Sequence, residues 1–327
     1  MIVVMYDDRA YSFAKVARLV HSGFLKIGFK QVFRTPYRTT LSLSPSSRVI
    51  YVYDSTAVAS RNWVRFPVDK VIVWSDSSID PRTFAFKIPE ECCHIQCHPF
   101  WVSLYNSLGL RTDGWVPRPV DDDVVRDVVS EDRERLCRDV WSRVGRDYVI
   151  NVSSDLTVKY PKPRKGLDMY DRLCGELRRD LGIQCVYVGN QILSNVVPVA
   201  GTGSLPEFTL LKLIRCASLF VWTSRSEGFG MPPVEAMAVG TPVVSSNAPF
   251  NSLIRGFKFP FREEITVKTP YGFSFIEWDY DYRDLRDVVV DVLTKYRDEA
   301  VEDSREYSVN ALTFFGKSAV AHALLEV

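Results

Sequence analysis

The chain has 327 residues, 46% hydrophobic and 13% aromatic, enough for two domains of ordinary size and too rich in core formers for a disordered chain. Lysine and arginine number 41 against 40 aspartates and glutamates, a balance that argues against a general nucleic-acid binder. No apolar run of about eighteen residues is present to span a membrane, and seven scattered cysteines in a chain this long suit reduced thiols in a cytoplasm better than a disulfide framework.

Met1 to Tyr6 reads as a buried first strand, and Asp7 and Asp8 turn it acidic too soon for a signal peptide. A helix is expected over 11–25, where Phe13, Val16, Ala17, Val20 and Phe24 recur at three and four residues. Lys15, Arg18, His21 and Lys26 decorate its polar side, which suits a crossover helix or, alternatively, a basic face against an anionic membrane. Strands follow at 29–34, 48–53 and 70–74, and this alternation argues a parallel α/β sheet. Ligands on such sheets bind at the carboxyl ends of strands, so Asp7, Asp8, Asp54, Ser75 and Asp76 point toward a cleft.

Cys92-Cys93-His94-Ile95-Gln96-Cys97-His98 is the one metal-like cluster. Its ligands crowd a single strand whose side chains alternate faces, whereas a zinc site draws pairs from separate turns. Structural or cleft-lining residues are therefore expected there and no metal, although a histidine titrating near neutrality could act at a reacting hydroxyl. A short helix over 100–108 precedes Pro117, Pro119 and the triple aspartate 121–123, which suit a linker and place a domain boundary near residue 118.

The second half opens with a charged helix over 131–144 and a strand over 148–152. Lys159, Lys162, Arg164 and Lys165 put four cations in seven positions before Gly166 and a helix over 167–181, a clamp for a leaving diphosphate or else a solvated loop. A strand over 184–188, a helix over 206–217 and a strand over 219–222 lead into the central stretch, Ser224 to Val244. There Gly228 and Gly230 form a tight pair, Pro232 and Pro233 open a helix, and Gly240 with Pro242 ends it before a strand over 242–246. Amides at a helix N-terminus favour a phosphate. Glu227 and Glu235, which flank them, can accept from sugar hydroxyls. The stretch reads as a site for a phosphate with sugars on both sides, as in a nucleotide-sugar. Helices are expected over 281–296 and 299–312, with a last one after Gly316.

The run EGFGMPPVEAMAVGTPVV, in which Glu227 and Glu235 enclose seven residues, is similar to the signature of the group-1 (family 4) retaining glycosyltransferases. The resemblance implies the GT-B architecture, an α/β fold of two Rossmann-like domains facing across a cleft, with a C-terminal helix crossing back to the first domain. Residues 1–118 with 314–327 would form the acceptor-side domain and 119–313 the nucleotide-sugar-binding domain. It assigns the donor's ribose to Glu235, the transferred sugar to Glu227 and the diphosphate to the backbone of Gly228, Phe229, Gly230 and Met231. Lys165-Gly166 matches the family's Lys-Gly pair, and Lys159 falls where the family carries arginine, a point charge in place of a fork. The implied activity is transfer of a sugar with retention from a nucleoside-diphosphate-sugar, such as a UDP- or GDP-sugar, to a glycan, lipid-linked or protein acceptor. No metal, separate cofactor or nucleic-acid partner is implied. The setting would be cytoplasmic, with peripheral membrane contact left open. Two departures stand out. Tyr6-Asp7-Asp8-Arg9-Ala10 lacks the glycine loop of relatives, and Asn247 to Ser252 replaces the loop that closes over the nucleotide. The missing glycine loop and Lys159 keep open an alternative, a non-catalytic sugar-nucleotide- or glycan-binding GT-B protein.

Overall fold

The computed structural model describes residues 1–7, 11–36, 43–54, 70–76, 78–83, 90–153, 163–201, 203–269 and 272–327. The first six strands, β1 (Ile2–Tyr6), β2 (Val32–Pro36), β3 (Arg48–Asp54), β4 (Lys70–Asp76), β5 (Cys93–Gln96) and β6 (Gly114–Trp115), form one parallel sheet in the order β2-β1-β3-β4-β5-β6. Val3, Val4, Val49, Ile50, Ile72 and Val73 are all buried, as strands covered on both faces require. The second strand begins later than the apolar run suggests, because Phe29 turns edge-on to Phe24 at 5.7 Å and closes the end of α1 (Tyr11–Lys26).

The second sheet is also parallel, with β7 (Tyr148–Val152), β8 (Gln184–Val188), β9 (Val197–Ala200), β10 (Leu219–Trp222), β11 (Val243–Ser246) and β12 (Phe257–Phe259) in the order β12-β11-β10-β7-β8-β9. This is the doubly wound order, in which the strand sequence reverses between β7 and β10. Side chains alternate between two apolar layers. Val149, Leu219, Val221 and Val244 enter one, and Ile150, Phe220, Trp222 and Val243 the other. An antiparallel hairpin, β13 (Phe261–Lys268) with β14 (Ser274–Tyr280), follows, a feature with no counterpart in the reading of the sequence.

The helices after β5 are α2 (Pro99–Ser107), α3 (Asp122–Ser130), α4 (Arg133–Val144), α5 (Leu167–Leu181), α6 (Glu207–Cys216), α7 (Met231–Ala238), α8 (Tyr282–Thr294), α9 (Arg297–Phe315) and α10 (Lys317–Glu326). The triple aspartate is not a linker: Asp122 and Asp123 form the first turn of α3, where acidic side chains complement the helix dipole. It is also the counter-charge to the helices above it. Lys317 reaches Asp121 at 2.8 Å and Asp123 at 2.6 Å, Arg18 reaches Asp121 at 3.2 Å, and Lys26 reaches Asp122 at 3.0 Å. Helix α10 crosses back onto α1, with Val320, Ala321 and Leu324 in the first domain's core. The crossing is close at Gly23, where a Cβ would stand 2.3 Å from the Lys317 carbonyl oxygen. The basic side of α1 thus faces carboxylates within the chain. No helix among the described residues is long and apolar enough to cross a membrane.

One cysteine pair departs from the reduced-thiol expectation. Cys137 of α4 and Cys216 at the end of α6 are joined in a disulfide across 79 residues, while Cys92, Cys93, Cys97, Cys174 and Cys185 remain thiols. No spacing in the sequence announces the pair, because the topology alone brings α4 against α6. Cross-linking a loop of this length is worth about 4 kcal/mol in the chain-entropy model. Cys137→Ser, or full reduction, should lower unfolding free energy by about 2–4 kcal/mol. Chemical denaturation with and without reductant checks this, and coincident curves would contradict it.

Candidate active site

The chain leaves the carboxyl ends of β7 and β10 in opposite directions, and a crevice opens where the order reverses. Two segments meet there. Residues 163–166 lie against the end of β10: Arg225 N–H donates to Arg164 O at 2.8 Å, and the Thr223 hydroxyl donates to Lys165 O at 2.9 Å. Contact is so close at Gly166 that a Cβ would stand 2.0 Å from Thr223 O, and the φ of 62° there suits glycine alone. The fully buried Arg225 ties this corner down, donating to Pro163 O at 2.6 Å and pairing with Asp168 at 3.0 Å and Asp279 at 3.1 Å.

This packing places Lys165 Nζ 2.5 Å from Glu227 Oε1, both side chains about nine-tenths buried. Beyond Glu227 the loop turns at Gly230, whose left-handed φ of 84° makes it the N-cap of α7 with no side chain to occupy the first amides. The Phe229 ring packs on Phe315 at 5.9 Å, and Met231 fits between the cores of both domains. Their side chains serve packing, so the part of Gly228 to Met231 that could meet a ligand is backbone. Lys159 lies outside the described residues.

Glu235 is buried within α7 and meets a cation that the reading of the sequence assigned to the polar side of α1. Lys15 of α1 crosses the cleft to Glu235 at 2.5 Å and to Glu207 of α6 at 2.6 Å. Burial alone would lower the Lys15 pKa. The two carboxylates outweigh it and hold the ammonium above its ordinary range. The sequence did carry a signal: Lys15 shares an i, i+4, i+8 stripe with Leu19 and Gly23, all buried, a second inward face of α1.

The first domain touches the same loop through α2. The Trp101 indole donates to Gly228 O at 2.9 Å and to Glu227 O at 3.2 Å, and the Cys97 thiol donates to Gly228 O at 3.3 Å. Trp101, Tyr105, Phe250, Ile276 and Trp278 form an apolar seam between the domains.

The histidine cluster divides as alternation requires. His94 bonds Ser75 Oγ and the Arg111 carbonyl, both at 3.0 Å. His98 caps α2, accepting from Phe100 N–H at 3.1 Å through Nδ1, and its Nε2 is buried with no partner among the described residues. Burial lowers both imidazoles to about 4. Neither therefore titrates near neutrality as expected, and both are uncharged at pH 7. Among the described residues no group of three His, Cys, Asp or Glu side chains is arranged to hold a metal ion.

Residues 163–254, which carry the two segments of the crevice and α7, match the family model described as "Glycosyl transferases group 1". This stretch of the second domain is similar to the group-1 glycosyltransferases. A putative glycosyltransferase, ORF378, of Acidianus filamentous virus 2 is 36% identical over 108 residues, 29% of each chain. Another, of a Sulfolobus islandicus filamentous virus, is 31% identical over 150 residues, 45% of this chain and 43% of its own. The chain thus spans less than half the length of these curated relatives. The fold matches a crystal structure of Anabaena HepE in complex with UDP-glucose over 100% of this chain and 98% of that one, with a TM-score of 0.69 at 11% identity. The architecture is GT-B, as the group-1 signature implied.

The Lys15 pair should matter for stability before any ligand is considered. Lys15→Met strands Glu235 as a buried, uncompensated carboxylate and leaves Glu207 only Arg18, 3.9 Å away, at a cost of about 3–5 kcal/mol near pH 7. Burial already raises the Glu235 carboxyl, and its protonation relieves the penalty, so the deficit should shrink as pH falls toward the ordinary glutamate value of 4.5. Denaturation midpoints across pH check this, and a deficit independent of pH would contradict it.

Proposed function

We propose that the protein transfers a sugar from a nucleoside-diphosphate-sugar to an acceptor hydroxyl with retention at the anomeric carbon. The buried Lys165–Glu227 pair beside the Gly230 turn carries the reading: a cation and a carboxylate stand together where amides and a helix N-terminus favour a phosphate. The family match and the HepE structure with UDP-glucose support it.

In this scheme the donor's diphosphate lies along the Gly228–Met231 backbone, with Lys165 beside it. As the bond to the anomeric carbon breaks, charge builds on the departing diphosphate. Lys165, with Lys159 as a second cation, neutralises it in a site whose dipoles are already aligned. Glu227 faces the transferred sugar, and Glu235 accepts from the ribose hydroxyls. Lys15 now occupies Glu235, so ribose binding redistributes it toward Glu207. With lysines and amides stabilising the leaving group, the reaction needs no divalent cation. The acceptor, a glycan, a lipid-linked sugar or a protein, enters from the first domain beside His98, whose uncharged Nε2 is suited to a sugar hydroxyl. A cytoplasmic setting, with the acceptor presented at a membrane surface or free, belongs to the same proposal.

The two glutamates should fail differently. Glu235→Gln should weaken both UDP and UDP-sugar binding by about tenfold, since a charge-assisted hydrogen bond is worth about 1.5–3 kcal/mol. Glu227→Gln should leave UDP affinity within about twofold and lower kcat rather than raise KM, as for an interaction strengthened in the transition state. Calorimetry and steady-state rates on variants with matched melting curves test the division. Equal losses of UDP affinity in both would overturn the assigned roles.

A further inference from the structure

A second group of cations lies at the other end of the second sheet. The proposed donor site follows the carboxyl end of β10. At the amino ends of the same strands, about 15 Å away along four or five residues, Asp147, Ser218 and Pro242 border a hollow of about 120 Å³ open to solvent. Its walls are α4, the end of α6 and the start of α9. Five arginines line it, Arg133, Arg146, Arg215, Arg297 and Arg305, against two carboxylates, Glu134 and Asp147.

The carboxylates leave three arginines unbalanced. Arg146 pairs with Glu134, and Arg297 with Asp147. Arg133 is turned onto the carbonyls of Arg215 and Ala217 at 3.3 and 3.1 Å, and Arg215 onto those of Val239 and Gly240 at 2.9 and 3.1 Å. Arg305 is exposed and makes no ion pair among the described residues. Arg215 Nε is buried without an acceptor, and burial, with Arg133 and Arg305 near, pulls its pKa down to about 10. The C-termini of α6 and α7 end here, and their dipoles account for Arg133 and Arg215 as caps. They do not account for Arg305, nor for gathering all five around one hollow.

The walls are held rigidly. Arg133, Cys137 and Trp141 fall on one face of α4 at four-residue steps. Cys137 is bonded to Cys216, which adjoins Arg215, and the Trp141 indole donates to Cys216 O at 3.0 Å. The Arg146 guanidinium lies 4.9 Å from the centre of the Trp141 ring. Arg133 and Arg215 therefore keep their positions without a ligand, which lowers the ordering cost of binding one, while the exposed Arg146 and Arg297 stand beside them on Glu134 and Asp147.

We propose that this hollow binds a small, multiply charged phosphate-type anion, of the size of pyrophosphate or triphosphate, at a site separate from the cleft. Planar guanidinium forks match phosphate oxygens, and a single-charged anion would leave most of the surplus uncompensated.

Calorimetric titration with inorganic pyrophosphate and triphosphate at low salt tests this on the whole chain. The native protein should bind the anion with a rise in melting temperature. Arg297→Gln/Arg305→Gln should raise the dissociation constant about tenfold or more. Arg305→Glu, on an exposed helix face, should do the same while melting like the native protein without anion. Lys165→Gln, in the cleft, should leave this binding in place. No binding at millimolar anion would overturn the proposal. So would affinity unchanged by the arginine variants but lost in Lys165→Gln, which would put the anion in the cleft. Capture by phosphatidate vesicles without binding of the soluble anions would mark a lipid-facing surface instead and overturn the small-anion site.

Discussion

Two buried carboxylates at the mouth of the cleft each depend on a lysine. Removing a carboxylate from water costs several kcal/mol, and only a well-placed partner offsets it. Glu227 finds Lys165 within the same domain, and Glu235 finds Lys15 across the cleft. Most of the local structure serves these two contacts. The reversal of strand order brings residues 163–166 beside the loop after β10, Gly166 allows backbone to touch backbone, and Arg225 locks the corner. On the other side, α10 presses on α1 at Gly23 and the triple aspartate holds both helices, which sets where Lys15 can reach. Because one pair lies within a domain and the other between domains, any ligand that competes for Glu235 also acts on how firmly the cleft is closed.

β7, β8, β10, β11 and the helix after the β10 loop were legible in the sequence, since buried parallel strands read as apolar runs and glycine and proline punctuate that loop, whereas the edge strands β9 and β12 were not read. The signature glutamates stood out for the same reason: local chemistry and local pattern agree there. Lys15 was read as part of the polar side of α1, because one stripe of apolar residues was counted there and the second, through Leu19 and Gly23, was not. Trp101 acts through backbone carbonyls, and Arg225 through one carbonyl and two carboxylates distant in the chain, for which sequence has no code. The triple aspartate looks like a linker in isolation and becomes the start of α3 only when the cations of α1 and α10 are near.

Long-range pairings account for the rest. The Cys137–Cys216 bond joins residues whose spacing says nothing, and its consequence is the rigid wall beneath the arginine hollow. The hairpin of β13 and β14 supplies Trp278 to the seam between domains and Asp279 to Arg225, and it went unread although Ile276, Trp278 and Tyr280 alternate with Glu277 and Asp279. The histidines near Cys97 show the opposite error. Their type suggested titration near neutrality, but burial keeps them uncharged, so their use at pH 7 is as hydrogen-bonding groups rather than proton carriers.

The central claim is that the buried Lys–Glu pairs form the working end of a sugar transferase rather than a binding site alone. Incubating the pure protein with a panel of nucleotide-sugars and following released nucleoside diphosphate, with the anomeric configuration of the product read by proton NMR, tests it most directly. The account predicts that at least one donor releases its diphosphate without added metal and that the product keeps the donor's anomeric configuration. Tight donor binding with no release for any acceptor tried, or a product of inverted configuration, would contradict it.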